Sequence, residues 1–197
     1  MREGSRGFTL MEMMIVLALA GVILGLGAPS FNEFRRNNRL TGVANDYLGA
    51  VQTARTEAIK RQVPVAVCPS DDGIACTAGT FRGWIAFVDT DNDCARTTTD
   101  STEPLVRVET RIDGDPAKPL YPVSSGVCIS FGGDGFRQAI TGKATASYTV
   151  FCDTRGNGKQ DGTDQSAARG IEVTPTGRVR ITRVITEIDD WKLGCPP

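Results

Sequence analysis

Arg6-Gly7-Phe8-Thr9-Leu10-Met11-Glu12-Met13-Met14-Ile15-Val16-Leu17 puts one carboxylate just after a Gly-Phe junction, inside an apolar run that continues to Ala28. An ionised side chain within a membrane span costs about 2.5–3.5 kcal/mol on insertion scales, so Glu12 calls for a compensating partner. As a helix, Phe8 to Ala28 would be about 31 Å long, close to the hydrocarbon thickness of a bilayer. Arg2 and Arg6 precede it and predict a cytoplasmic N-terminus. A secretory signal cut near Ala28 is the plainer alternative. Leu26 is large for such a cleavage site, and Glu12 interrupts the apolar stretch.

Past Pro29 the apolar residues turn one-sided: Phe31, Phe34, Leu40, Val43, Ala44, Tyr47, Leu48, Val51, Ala54, Ala58 and Ile59. Most spacings are three or four, which is helical. The pattern predicts one long helix, apolar all round at first and amphipathic later, kinked or loosened at Pro29.

Composition narrows the chemistry. The 197 residues suit one domain plus a membrane or signal segment. A net charge of −1 gives no global pull toward nucleic acid or acidic lipid. Histidine is absent, which removes the commonest general base and metal ligand together with every Ser/His/Asp or Cys/His arrangement. No nucleophile elbow, P-loop or Rossmann glycine pattern replaces them, so no enzyme and no cofactor is expected. Six cysteines behind an apolar N-terminus favour disulfides in an oxidising compartment, and none lies in a CxxC.

Gly7-Phe8-Thr9-Leu10-Met11-Glu12 resembles the type III signal of type IV pilins and type II secretion pseudopilins. The resemblance implies that a prepilin peptidase cuts between Gly7 and Phe8 and N-methylates the new terminus. Glu12 becomes the fifth mature residue, which in that family pairs with the terminal ammonium of a neighbouring subunit. A buried charge persists when paired, so the physics agrees. Pro29 falls where the family also carries a proline. The organisation implied is a leader at 1–7, a transmembrane and filament-core helix at 8–28, an amphipathic continuation at 29–62, and a periplasmic β-rich head at 63–197. The expected fold is α+β: a type IV pilin-like long N-terminal helix, its first half transmembrane, packed on an antiparallel sheet. The implied partners are other pilin subunits, the peptidase, the bacterial inner membrane and, for one branch, DNA.

The head reads as short β-prone runs at Val63–Val67, Trp84–Val88, Leu105–Glu109, Val127–Phe131, Ser147–Phe151, Ile171–Val173 and Arg178–Ile181, with a hairpin turn at Pro175-Thr176-Gly177. Val67-Cys68-Pro69-Ser70 with Cys76, then Gly83-Trp84-Ile85-Ala86-Phe87-Val88-Asp89, is similar to the GspH/FimT branch of minor pilins and pseudopilins. So are Phe131-Gly132-Gly133-Asp134-Gly135, Cys152-Asp153-Thr154-Arg155-Gly156 and Gly177-Arg178-Val179-Arg180.

Cys68 and Cys76 are close enough for a local disulfide. Pairing Cys152 with Cys195 would pin a tail that otherwise frays, and Cys94 and Cys128 remain as a third pair. Six cysteines allow 15 connectivities, and Cys128 also suits a free buried thiol. Asp89, Asp91 and Asp93 open like a calcium loop but lack the glycine at its sixth position, where Cys94 stands; a solvated acidic hairpin loop is the stronger reading. Arg178 and Arg180 share a strand face at a spacing that suits successive phosphates, with Arg183 joining only if the strand bends. Arg169 and Lys143 are further candidates. In the FimT branch a Gly-Arg-x-Arg motif at this place is tied to DNA binding, matched here by Gly177, Arg178 and Arg180. The plain alternative is a strand face whose arginines pair with Glu172 or Glu187. Two functions compete: a minor pilin that supports filament assembly, with or without DNA contact, and an H-type minor pseudopilin of type II secretion.

Overall fold

The computed structural model describes residues 7–77, 81–97, 101–110, 112, 120–140, 142–143, 145–160 and 163–195, without side chains for 26–30. The leader residues 1–6 therefore lie outside the described part, whereas Pro29 falls inside a helix that continues on both sides of it. Helix α1 runs Leu10–Arg61. Among the described residues nine strands follow: β1 Val65–Ser70, β2 Gly83–Val88, β3 Leu105–Glu109, β4 Tyr121–Ser124, β5 Ile129–Phe131, β6 Arg137–Gln138, β7 Tyr148–Cys152, β8 Gln165–Val173 and β9 Val179–Val184. A short helix α2, Ile185–Asp190, ends the order.

Two units separate, residues 1–39 and 40–197. In the first, Phe8, Leu10, Met11, Ile15, Leu17, Val22, Ile23 and Leu24 are all exposed, as are Phe31 and Phe34. Among the described residues no helix is long and apolar enough to cross a membrane.

In the second unit the buried stripe of α1 begins at Leu40, later than the pattern from Phe31 predicts. Leu40, Ala44, Tyr47, Ala50, Val51, Ala54 and Ala58 share one apolar cluster with Val65, Trp84, Phe131, Phe151 and Ile171. Four alanines on that stripe let backbone approach backbone. Tyr47 sits edge-on to Trp84 and Phe151, at 5.2 and 5.3 Å between ring centres. Each such contact is worth about 0.5–1.5 kcal/mol beyond area burial. Its hydroxyl accepts from Thr149 Oγ1 at 3.4 Å, and burial pushes the phenol up to about 12.

The strands form two antiparallel sheets, β3-β2-β1-β5-β6 and β4-β7-β8-β9. Pro69 is tolerated in β1 because β5 pairs only with Val65–Val67 and does not reach it. Pro122 lies on the edge strand β4 for the same reason. On the second sheet Phe151, Ile171 and Val173 face the main core. Val150, Cys152 and Ala168 face outward and are covered by Ile188, Trp191, Leu193 and Cys195. At Gly170 a Cβ would come 2.5 Å from the Trp191 ring, so glycine is what lets the ring lie on β8.

Three disulfides close the head: Cys68–Cys76, Cys94–Cys128 and Cys152–Cys195, with Cα separations of 5.5, 6.0 and 5.9 Å. Cys128 is therefore not the free thiol held open as an alternative.

Candidate functional site

At the N-terminus, Gly7 and Phe8 precede the first helical residue, and Phe8 is 76 % exposed. Thr9 Oγ1 accepts the Glu12 backbone N–H at 3.2 Å, and Thr9 O accepts from Met13 N at 3.2 Å. Thr9 thus starts the helix, and Glu12 stands at the third position of a Thr-x-x-Glu capping pattern. That pattern was readable in the sequence and gives Glu12 a second reason to be acidic, since the positive end of the helix dipole favours a carboxylate there. Glu12 is exposed, and among the described residues it has no ion-pair partner.

The Gly177-Arg178-Val179-Arg180 stretch closes the β8–β9 hairpin. Gly177 has φ +77°, and a Cβ there would meet Gly135 O at 2.3 Å and Arg55 Nε at 3.0 Å. Arg55, from α1, donates its Nε to Gly135 O at 2.9 Å and Nη2 to Thr176 O at 3.3 Å. The two glycine-bearing motifs of the head are therefore locked to each other through one arginine. Sequence reading gave Arg55 no role, because its partners lie 80 and 121 residues away.

The arginines divide. Arg178 is exposed at the turn. Arg180 faces outward, where register sets it opposite Glu172. It bonds to Glu172 and reaches Glu187 at 3.0 Å. Hydrogen bonds from Arg180 to Glu172 first and Glu187 second hold its pKa above the ordinary arginine value. The Thr182 hydroxyl and then Arg180 lower that of Glu187. Val179 and Ile181 pack on the core, so Arg183 lies on their side of β9, away from Arg180. Arg183 Nη2 donates to Gln160 Oε1 at 2.7 Å. Arg169 is buried, with Nε donating to Thr41 Oγ1 at 3.1 Å. Lys143 bonds to the Asp93 carbonyl. The five basic candidates do not form one surface.

The acidic loop also regroups. Asp89, Asp91 and Glu103 bring ligand oxygens within 4.8 Å of one another, with Asp89 and Glu103 buried. Asp93 Oδ1 instead accepts the Ala95 N–H at 2.6 Å. Asp89 accepts from Asp93 N at 3.0 Å and Cys94 N at 3.1 Å. Burial outweighs these bonds and pushes Asp89 up to about 6. Glu103 was invisible from sequence because the fold alone brings it beside Asp89. In the Asp153 to Asp164 loop, also rich in side-chain oxygens, Asp153 pairs with Arg155 at 2.6 Å and Asp164 with Lys159 at 3.0 Å, while Asp161 lies outside the described residues.

A family model described as type II transport protein GspH matches residues 43–177, and one for the prokaryotic N-terminal methylation motif matches residues 3–28. No curated protein matches the chain by sequence. Two crystal forms of the type IV minor pilin FimU from Pseudomonas aeruginosa (strain PAO1) are similar in structure. One is 16 % identical over 76 % of this chain and 92 % of that one, with a TM-score of 0.45. The other is 15 % identical over 73 % and 92 %, with a TM-score of 0.44. The GspH match spans well over half of the residues and takes in the packed part of α1 and most of the head. The chain belongs to the GspH family, as a minor pilin or pseudopilin of the GspH/FimT kind.

Proposed function

We propose that this chain is a minor subunit of a type IV pilus that joins the filament and supports its assembly. In this reading prepilin peptidase cuts between Gly7 and Phe8. Residues 8–28 then hold the chain in the bacterial inner membrane as a single span, with the head in the periplasm, until it enters the pilus. Glu12 meets the terminal amine of a neighbouring subunit. The observation that carries the reading is the N-terminus: an exposed Gly7-Phe8 junction, a capped helix start, a carboxylate without an ion-pair partner among the described residues, and an uncovered apolar surface beyond it. None of this requires catalysis.

DNA contact through Arg178, Arg180 and Arg183 is not part of this reading. Arg180 is already neutralised by two carboxylates, and Arg183 lies on the other face of its strand. An H-type pseudopilin of type II secretion would use the same N-terminus, and the cysteine-rich head with its Gly-Arg-Val-Arg stretch supports the pilus subunit over it.

The test is made in the native host. Mass spectrometry of sheared pili should find the chain beginning at N-methylated Phe8. Glu12→Ala should leave the protein folded in the membrane but absent from pili. Normal incorporation of Glu12→Ala would overturn the pairing role. A deletion that spares pili and stops protein secretion would replace the pilus by the secretion system.

A further inference from the structure

We propose that the cleft between the β5–β6 loop and the end of α1 is a binding site for an arginine side chain of a protein partner.

Glycines shape it. The loop 132–136 joins β5 to β6. Gly132 N donates to Phe136 O at 3.0 Å and Gly135 N to Gly132 O at 2.9 Å, which folds the loop back on itself. At Gly133 a Cβ would come 3.0 Å from Gln62 Cα, so the loop rests on the residue that follows α1. Gln62 Nε2 donates to Gly133 O at 3.2 Å and fastens the two. The cleft beside this junction has a volume of about 630 Å³.

Its walls offer more acceptors than they use. Gln138 lines the cleft, and its Oε1 is buried with no hydrogen-bond partner. Buried polar atoms in native proteins are almost always paired, so this oxygen calls for a donor. A Cβ on Gly132 would lie 3.0 Å from Asp134 Oδ1 and 3.2 Å from Gln138 Oε1. The two oxygens thus flank one face of the glycine, and a side chain there would fill the space between them. Asp134 Oδ1 accepts Phe136 N at 3.0 Å, which holds the carboxylate in place. Phe136 is 52 % exposed and supplies an aromatic wall. Arg137 lines the cleft too, but its Nη1 donates to Ala146 O at 3.4 Å and to the Ser147 hydroxyl. Two convergent acceptors, one of them charged, beside a bare ring match a guanidinium. That group is all donors and no acceptor, bonds strongly to carboxylates and stacks on aromatic faces.

The experiment titrates Nα-acetyl-arginine amide, and its neutral isostere Nα-acetyl-citrulline amide, into the isotopically labelled full chain in neutral detergent, and reads backbone amide shifts by NMR. The arginine probe should move the amides of residues 132–138 saturably, and the citrulline probe should bind several-fold more weakly. Phe136→Leu should weaken binding of the arginine probe about threefold and Gln138→Leu about tenfold. Gln138→Leu removes an unpaired buried acceptor, so it should melt at or above the wild type. A clear drop in its Tm would mean that the free protein pairs this amide itself, and would overturn the proposal. Equal binding of the two probes, shifts spread over the surface rather than confined to the loop, or a response unchanged in both variants would overturn it as well.

Discussion

Asp89 shows how one buried carboxyl shapes stability. Its folded pKa of about 6 lies above the ordinary 3.8, chiefly because it is buried, with Asp93 and Asp91 adding repulsion. The folded protein therefore holds this proton to higher pH than the unfolded chain does. The stabilisation is full below about pH 4 and is lost as pH rises through 6. A two-unit shift corresponds to roughly 2–3 kcal/mol. Asp89→Asn should remove that slope: between pH 4 and 7 the wild type should lose stability relative to the variant, measured by denaturant titration. Parallel pH profiles would contradict the assignment. At this scale the sequence was legible where chemistry is contiguous. Gly7 to Glu12 could be read directly. The pairing of Arg180 with Glu172 depends on register, and the meeting of Asp89 with Glu103 depends on a loop, so neither could be derived from spacing.

Among the elements, α2 is the least self-sufficient. It has six residues, and Val184 at its N-cap makes no side-chain cap. It is held by burial of Ile188, by Trp191 stacked on Tyr148 at 4.5 Å, and by the Cys152–Cys195 bond. That bond closes 43 residues and Cys68–Cys76 closes 8. The chain-entropy estimate gives about 4 and about 2.5 kcal/mol. The Cys152→Ala/Cys195→Ala variant should therefore lose more Tm than Cys68→Ala/Cys76→Ala, and its tryptophan emission should shift red as Trp191 is released. Equal losses without a spectral change would mean that burial alone holds the tail. Sequence could not reveal α2, which tertiary packing creates. It under-read β8 for a related reason: Ala167, Ala168, Arg169 and Gly170 have poor strand preference, and Arg169 and Gly170 are held as strand by pairing with Phe151 and Val150 of β7.

For the whole molecule, the helix period was the strongest signal, and it located the stripe from Leu40 to Ala58 that joins α1 to the sheets. Strands β2, β3 and β7 were legible within a residue or two of their ends, because they are short runs rich in β-branched and aromatic residues bounded by turn residues. β4 and β6 were not, being short and carrying Pro122 or only two residues. The alanines of the stripe fix how near the helix approaches. Ala54→Leu should overpack this fully buried point and cost about 1–3 kcal/mol in denaturant unfolding, while Gly42→Ala, at a position open to space, should cost little. A tolerated Ala54→Leu would mean that the core has room to shift.

Chain order gives the last disulfide a consequence in time. Cys195 follows every strand in the sequence, whereas Cys152 ends β7 before β8 and β9 exist. If the head crosses a membrane as proposed above, with the N-terminus staying behind, its helix end leads, and Cys68 and Cys76 can join as soon as their loop emerges. Cys152 must wait as an open thiol until both later strands have crossed. In that case its closure would mark the end of translocation of the head, and a head stalled halfway would be left with an unpaired, reactive sulfur.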